Sequence, residues 1–518
     1  MTKRTAHGLA LVLSAMPLLI VGCGDSGEKG GTGGTVGSTG GAIRYDGGGG
    51  AGGSKVDGAL LGPPDGSAPT IDSAPAPVDV ALPIDSTPVI DGGTVVDAPI
   101  TFDAPIQIDT TKIDAPKAFD TATVDTYVAI DSPPVCTIVP AFTGGTVSAN
   151  LTLTKACSPY DITDTILVTG NATLTIEAGV TLNFESGVEL DVGNRDNAKL
   201  IAVGTATSPI AFTSAASTPS AGDWTGIYFG PNVMGGTQVA YAKVDYCGLS
   251  QYACIHAISG VKPGRVTLDH VTVDHVGTGS NGIFEEDPAT NFTISNSTFS
   301  NIPNQQYAIS VLAPSFVGIG GTNTFNGGAK VEVRAGTVST TTSWVDPGTA
   351  IAVTDRVNVG GASSPVLTIG PGMTFKFGAG VEMDIGSPDV GQLIVAGTSA
   401  KHVTFTSLAA TQAPGDWTGL FVDYAAKAQI SYADFSYGGA DGATGGNLLL
   451  YSPTATASLK VDNSSFSYSL GYGIQLDCTT TTPLPTVQLT SNTYAHNGVD
   501  TGNANTEANN VGPGLSCP

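Results

Sequence analysis

Gly222-Asp223-Trp224-Thr225-Gly226 returns 193 residues later as Gly415-Asp416-Trp417-Thr418-Gly419. Outward from that pentapeptide, Phe212-Thr213-Ser214 returns as Phe405-Thr406-Ser407 and Leu174-Thr175-Ile176 as Leu367-Thr368-Ile369, at the same offset. More than fifty residues align without a net gap, so the chain carries an internal duplication. Inside each copy a shorter unit repeats, in which two apolar residues five places apart flank a polar corner. The pairs are Val239/Val244, Leu268/Val273 and Ile294/Phe299 in the first copy, then Ile430/Phe435, Val461/Phe466 and Leu489/Tyr494 in the second. Their starts lie 26 to 31 residues apart within a copy. A period of this length predicts a solenoid, because one turn cannot bury its apolar face alone and stacked turns share one core. Corner Asn and Ser side chains would satisfy backbone groups that the sheets leave free.

Short alternating runs such as Val188-Glu189-Leu190-Asp191-Val192 and Val381-Glu382-Met383-Asp384-Ile385 predict strands. No window has convincing helical periodicity, so the expected class is all-β, and tandem β-sandwiches are the competing arrangement. Composition removes other classes. The formal net charge is −24, from 20 Lys+Arg against 44 Asp+Glu, the wrong sign for a nucleic-acid binder. Only one long apolar stretch exists, which excludes a multi-pass membrane protein.

The run Leu174-Thr175-Ile176-Glu177-Ala178-Gly179-Val180 continues through Phe184, Gly187, Leu190 and Val192 to Gly204-Thr205, Phe212-Thr213-Ser214 and the Trp224 pentapeptide. It resembles the right-handed parallel β-helix domains of bacterial surface lipoproteins, over about residues 150–500. The resemblance implies a pectate-lyase-like right-handed parallel β-helix solenoid and says little about activity. Residues 136–340 would form its first half, and 341–518 its second half and C-terminal cap.

Lys3 and Arg4 precede an apolar run from Leu9 to Val21 that is short for a membrane span, the pattern of a signal peptide over residues 1–22. Ile20-Val21-Gly22-Cys23 resembles the lipobox of bacterial lipoproteins, which implies lipidation of Cys23 and a membrane anchor; Gly24 favours the outer membrane over retention at the inner one. Residues 23–53 read as a Gly-rich tether. Residues 54–135 carry 13 Asp against 3 Lys, with Asp85, Asp91, Asp97, Asp103 and Asp109 six apart and prolines between them. Like charges and proline favour a disordered, extended stalk. An exported location, lipid-anchored at the outer membrane and exposed on the surface, follows from this arrangement.

Six further cysteines, Cys136, Cys157, Cys247, Cys254, Cys478 and Cys517, are disulfide candidates in an exported chain. Fifteen pairings are open to six cysteines, and order along the chain favours 136–157, 247–254 and 478–517, the first and last clamping the ends of the solenoid. Candidate ligand-binding residues are few. Glu189/Asp191 and Glu382/Asp384 stand i, i+2 on strands, so both carboxylates of a pair point outward about 7 Å apart; such hard oxygen ligands could hold calcium, or simply form a solvated face. Trp224 and Trp417 are aromatics of the exposed type that could stack on sugars, or pack over a strand to close a turn. Asp269-His270 and Asp274-His275 read as corner residues, since the second copy has Asp462-Asn463 at the comparable place. Glu285-Glu286-Asp287 reads as a solvated acidic loop. No Gly-x-Ser-x-Gly, P-loop or zinc-protease motif occurs, so no catalytic residue is assigned, and no cofactor beyond calcium is indicated. The expected function is binding or adhesion at the cell surface, to polysaccharide, matrix or a surface protein. The alternatives are a polysaccharide lyase or glycoside hydrolase on the same fold, and a structural envelope protein.

Overall fold

The computed structural model describes residue 136 and residues 141–249, 253–258, 260, 265–287, 292–387, 389–442, 445–451, 453–477, 485–498 and 511–512. The expectations for the leader, Cys23, the tether, the stalk, Cys478 and Cys517 lie outside the described residues. Among the described residues the regular structure is almost entirely strand, interrupted by short 3-10 helices such as Lys155–Cys157 and Ala313–Gly318. The strands stack in parallel ladders into sheets of 14, 11, 7 and 6 strands. Tandem sandwiches would need antiparallel ladders, so the described residues form a right-handed parallel β-helix. Each turn adds a strand to every sheet it crosses. Alternate residues point into the lumen, as in Ala172–Ile176, where Ala172, Leu174 and Ile176 are buried and Thr173 and Thr175 are not.

Lumen side chains stack on their counterparts one turn away. Phe375, Phe405, Phe435, Phe466 and Tyr494 form one column, with successive ring centroids 5.4, 4.6, 5.0 and 5.6 Å apart. Burying each such ring stabilises the fold by about 1.5–3 kcal/mol, which is the core that a single turn lacks.

The duplicated motifs prove to be one structural clip, built twice. Ser214 and Ser407 each donate to the Asp of the pentapeptide, Asp223 or Asp416, at 2.6 Å. The same Asp oxygen accepts the backbone N–H of Ser220 at 2.8 Å or of Ala413 at 2.9 Å, closing the loop before the Trp. Trp224 then stacks on Phe184 at 4.2 Å and Trp417 on Phe377 at 4.3 Å, each donating its indole N–H to a backbone carbonyl, of Asp245 or Ser436. The closing glycine has φ 138° in both copies, Gly226 and Gly419. A Cβ on Gly419 would stand 2.5 Å from the Gly446 carbonyl oxygen. Gly419→Ala is therefore expected to destabilise the fold by about 1–3 kcal/mol, and Gly380→Ala, where nothing lies within 4 Å, by less. Urea midpoints check this, and equal losses at the two sites would remove the close-approach explanation.

The five-residue spacing of the apolar pairs also has a physical cause. On a flat strand, residues five apart face opposite sides. Here one residue between them adopts the left-handed conformation and turns the strand, so both ends of the pair enter the lumen. Tyr241, His270 and Asn296 do this in the first copy, and Tyr432, Asn463 and Ser491 in the second, with φ between 46° and 57°. The residue after the corner builds an internal hydrogen-bond ladder. Asn323 accepts from the Ser297 N–H and Ser297 Oγ from the Val271 N–H, at 2.9 and 3.1 Å; Asn492, Ser464 and Ala433 repeat it at 3.1 and 3.0 Å.

The second copy does not stack face on face with the first. Strands Glu189–Val192 and Gly226–Phe229 belong to the 14-stranded sheet, but their counterparts Glu382–Ile385 and Gly419–Asp423 belong to the 7-stranded one. The 14-stranded sheet continues instead through Thr374–Phe377 and Val403–Ser407, whose first-copy counterparts Thr181–Phe184 and Ile210–Ser214 lie in the 11-stranded sheet. The change falls where Val331–Arg334 pairs with Ile351–Val353, next to the 3-10 helix Ala313–Gly318.

Disulfides join Cys136 to Cys157 and Cys247 to Cys254, as order along the chain predicted. Among the described residues no helix is long and apolar enough to cross a membrane.

Candidate functional site

Alternation places the two acidic pairs on their expected strands, with Leu190 and Met383 in the lumen between them. Asp191 and Asp384 face outward, yet they are only 6% and 2% exposed, so they are covered rather than presented. In the first pair Asn194 donates to Asp191 at 2.9 Å, and burial pushes both carboxyls up, with the Asp191 charge adding to the effect on Glu189. In the second pair a guanidinium already holds the place proposed for a cation. Arg356 Nη1 lies 2.9 Å from Glu382, its Nη2 pairs with Asp384, and its Nε donates to Asn358 at 3.0 Å. Among the described residues, no group of three or more His, Cys, Asp and Glu is placed to hold a metal.

The tryptophans correct the expectation of sugar-stacking platforms. Trp224 and Trp417 are both 0% exposed, because the phenylalanine one turn away covers the ring and a backbone carbonyl takes the N–H. No indole face remains for a ligand.

Asp191 lies in a column of outward side chains in register on the 14-stranded sheet that runs on through Tyr228, His256, Phe284, Ser310 and Glu332. His256 packs edge-on between Tyr228 at 4.9 Å and Phe284 at 5.4 Å, with Nε2 3.0 Å from Glu286 but not in hydrogen-bond alignment. Burial holds its pKa below the usual imidazole value. Arg334 lies 4.3 Å over the Phe284 ring. Ser310 and Thr354 donate to Glu332 at 2.5 and 2.8 Å. Most of this column is covered, so it works as a packed polar seam. In the second copy the column becomes Asp384, Phe421 and Leu449, without the imidazole.

Behind the seam, Glu285 corrects the reading of a solvated acidic loop. It is 0% exposed and points into the lumen, in register with buried Ala257. Ser315 donates to its Oε1 at 2.6 Å, and Oε2 has no partner among the described residues. Burial pushes this carboxyl up to about 8, against the pull of Ser315, the Leu312 N–H and the Arg334 charge.

The open feature of the surface is its corners. Tyr241 stacks on His270 at 4.3 Å and Tyr246 on His275 at 4.7 Å, along two edges of one face. In the second copy Tyr437, Tyr468 and His496 stack at 5.1 and 5.0 Å. All seven of these residues have positive φ. The His270, His275 and Tyr468 rings are about 40% exposed. The two histidines are legible in the sequence as corner residues and the tyrosines are not singled out there; the signal available is an aromatic two places after either member of a five-apart apolar pair. Asp269 accepts from His270 Nδ1 at 2.8 Å, Ser295 at 2.7 Å and Asn296 at 2.8 Å. Burial would raise its pKa, but these donors outweigh burial and hold it below the usual value. Asp274 is lowered in the same way by Asn301 and Ser300.

Parallel ladders, a lumen of stacked apolar residues and bent strands at each corner define a pectate-lyase-like parallel β-helix. Residues 145–250 match the family model described as a pectate-lyase like beta helix domain. No curated protein and no solved structure matches the chain.

Proposed function

We propose that this is an exported lipoprotein, anchored through Cys23 at the outer membrane, that displays its β-helix to bind polysaccharide without turnover. The charged start, apolar core and lipobox-like residues support the address, and the two disulfides suit an oxidising compartment. One observation carries the binding reading. Tyrosine and histidine occupy left-handed corners where Asn296, Asn301 and Asn463 serve on neighbouring turns. An aromatic residue there holds backbone strain that Asn or Gly would relieve. Asn fills the same corner without a ring on neighbouring turns, so the recurrence of the rings in exposed stacks points to a surface role, and aromatic faces and edges suit sugars.

A glycan array probed with the full chain, with calcium and with chelator, tests this. Reproducible binding to one glycan class is expected, and a clean negative would remove the carbohydrate reading in favour of a structural envelope role. The lyase or hydrolase alternative draws on the perturbed carboxyl and imidazole groups of the covered seam. It requires product release from a bound glycan that Asp191→Ala or His256→Ala abolishes; Asp384, paired with Arg356, is the weaker candidate.

A further inference from the structure

The two aromatic edges of the first copy enclose a trough on the 11-stranded sheet, and its floor is the outward row Lys243, Thr272 and Thr298. A pocket of about 440 Å³ opens in it, lined by that row with Tyr241, His270 and Asn296 on one side and Pro209 at one end. We propose that this pocket binds one uncharged hexose unit of a polysaccharide, with the Tyr241/His270 stack as its wall. The inference rests on the polysaccharide-binding reading and gives it a site and a ligand class.

The charge arrangement selects the class. Three carboxylates surround the trough: Asp269 and Asp274 are hydrogen-bonded within the protein, and Asp245 is 4% exposed, so its unpartnered Oδ1 is covered. Asp269 is held by His270, Ser295 and Asn296. Asp274 is held by Ser300 and Asn301 at 2.9 and 2.8 Å. Asp245 pairs with Lys243 at 2.6 Å, and Asp274 lies 3.9 Å from the same ammonium. What remains for a ligand is uncharged or donating: the Thr272 and Thr298 hydroxyls, the far nitrogen of His270, and the Lys243 ammonium, 45% exposed. An acidic sugar would meet three carboxylates against one ammonium. An aminated sugar would bring a second cation beside Lys243 and find the carboxylate oxygens that would offset it already hydrogen-bonded within the protein or buried. A neutral ring meets neither penalty, presents C–H faces to the aromatic wall, and takes hydrogen bonds from the floor.

The second copy offers an internal control. At the places of Lys243, His270, Thr272 and Asn296 it has Asp434, Asn463, Ser465 and Ser491. There Asp434 accepts from Ser465 at 2.6 Å and lies 3.1 Å from His402, so the floor is acidic and the stacked pair is missing. One site per chain follows.

The test is titration calorimetry of the full chain with cellohexaose and maltohexaose as neutral probes, hexagalacturonate as the acidic probe and chitosan hexaose as the aminated one. A neutral hexaose is expected to bind best, at one site per chain. Tyr241→Asn and His270→Asn are each expected to weaken it about tenfold, with the unfolding midpoint unchanged or raised in Tyr241→Asn and little changed in His270→Asn, since Asn tolerates this backbone conformation better than Tyr and about as well as His. Undiminished binding in both variants, or tighter binding of the acidic or aminated probe, overturns the proposal while leaving an array-positive polysaccharide reading intact. An array negative for every glycan takes down that reading and this site with it.

Discussion

Stability should fall as pH rises from about 4.5 to about 8, and Glu285→Gln should remove most of that fall. The Glu285 carboxyl points into the lumen, and its pKa is raised from 4.5 to about 8, chiefly by burial. In the unfolded chain it ionises near its ordinary value. Below pH 4.5 both states hold the proton and the group is neutral to stability. Between 4.5 and 8 the unfolded state sheds the proton that the folded state keeps, so each pH step favours unfolding; above 8 the penalty is complete. The shift corresponds to about 4–5 kcal/mol. Glu189 and Asp191, also raised, add to the same slope. Asp269 and Asp274 act oppositely, because their lowered pKa values give stability that is lost only as pH falls below about 4. The charged groups that act on the Glu285 carboxyl are Arg334 and Asp287. Gln keeps Oε1 as the acceptor for Ser315 and carries no charge. Urea midpoints at pH 5 and pH 8.5, for wild type and variant, decide it; equal slopes in the two proteins would remove Glu285 as the cause.

Phe405→Ala should cost about 3–5 kcal/mol, the range for emptying a fully buried ring site. Phe405 is 0% exposed and is stacked on both sides, at 5.4 Å from Phe375 and 4.6 Å from Phe435, with Phe377 at 6.4 Å. In a solenoid each turn is stabilised by its neighbours, so the gap weakens two interfaces at once. Phe405→Leu, which keeps most of the volume, should lose less than half as much. Hydrogen exchange would show faster opening in strands Thr374–Phe377 and Ala433–Ser436 than in Ala172–Ile176, many turns away. Uniform acceleration along the whole coil would instead mean that the solenoid unfolds as a single unit.

Much of the architecture was legible in the chain. Repeats in a solenoid record local geometry directly, since each turn solves the same packing problem with the same residues. The pentapeptide around Trp224 returns around Trp417 because its Asp, Trp and final Gly make the same contacts, within the turn and to adjacent turns, in both copies. The five-apart apolar pairs encode the corners in the same way. Cys136–Cys157 and Cys247–Cys254 were readable because their partners are neighbours in sequence as well as in space.

Alternation tells which side of a strand a residue faces, and by itself the sequence determined that much for Glu189, Asp191, Glu382 and Asp384. Whether an outward residue meets water depends on what packs over it from other turns, and that was decided only in three dimensions. Tertiary structure buried Asp191 and Asp384, closed the faces of Trp224 and Trp417, and drew Glu285 from an expected solvated loop into the lumen. It also set the second copy one face on from the first, so that residues equivalent in sequence lie on different sheets. The physical reason is common to all of these. Hydrogen bonding along a strand and the facing of its side chains are properties of a few consecutive residues, whereas cover, desolvation and angular position accumulate from contacts between turns twenty or more residues apart.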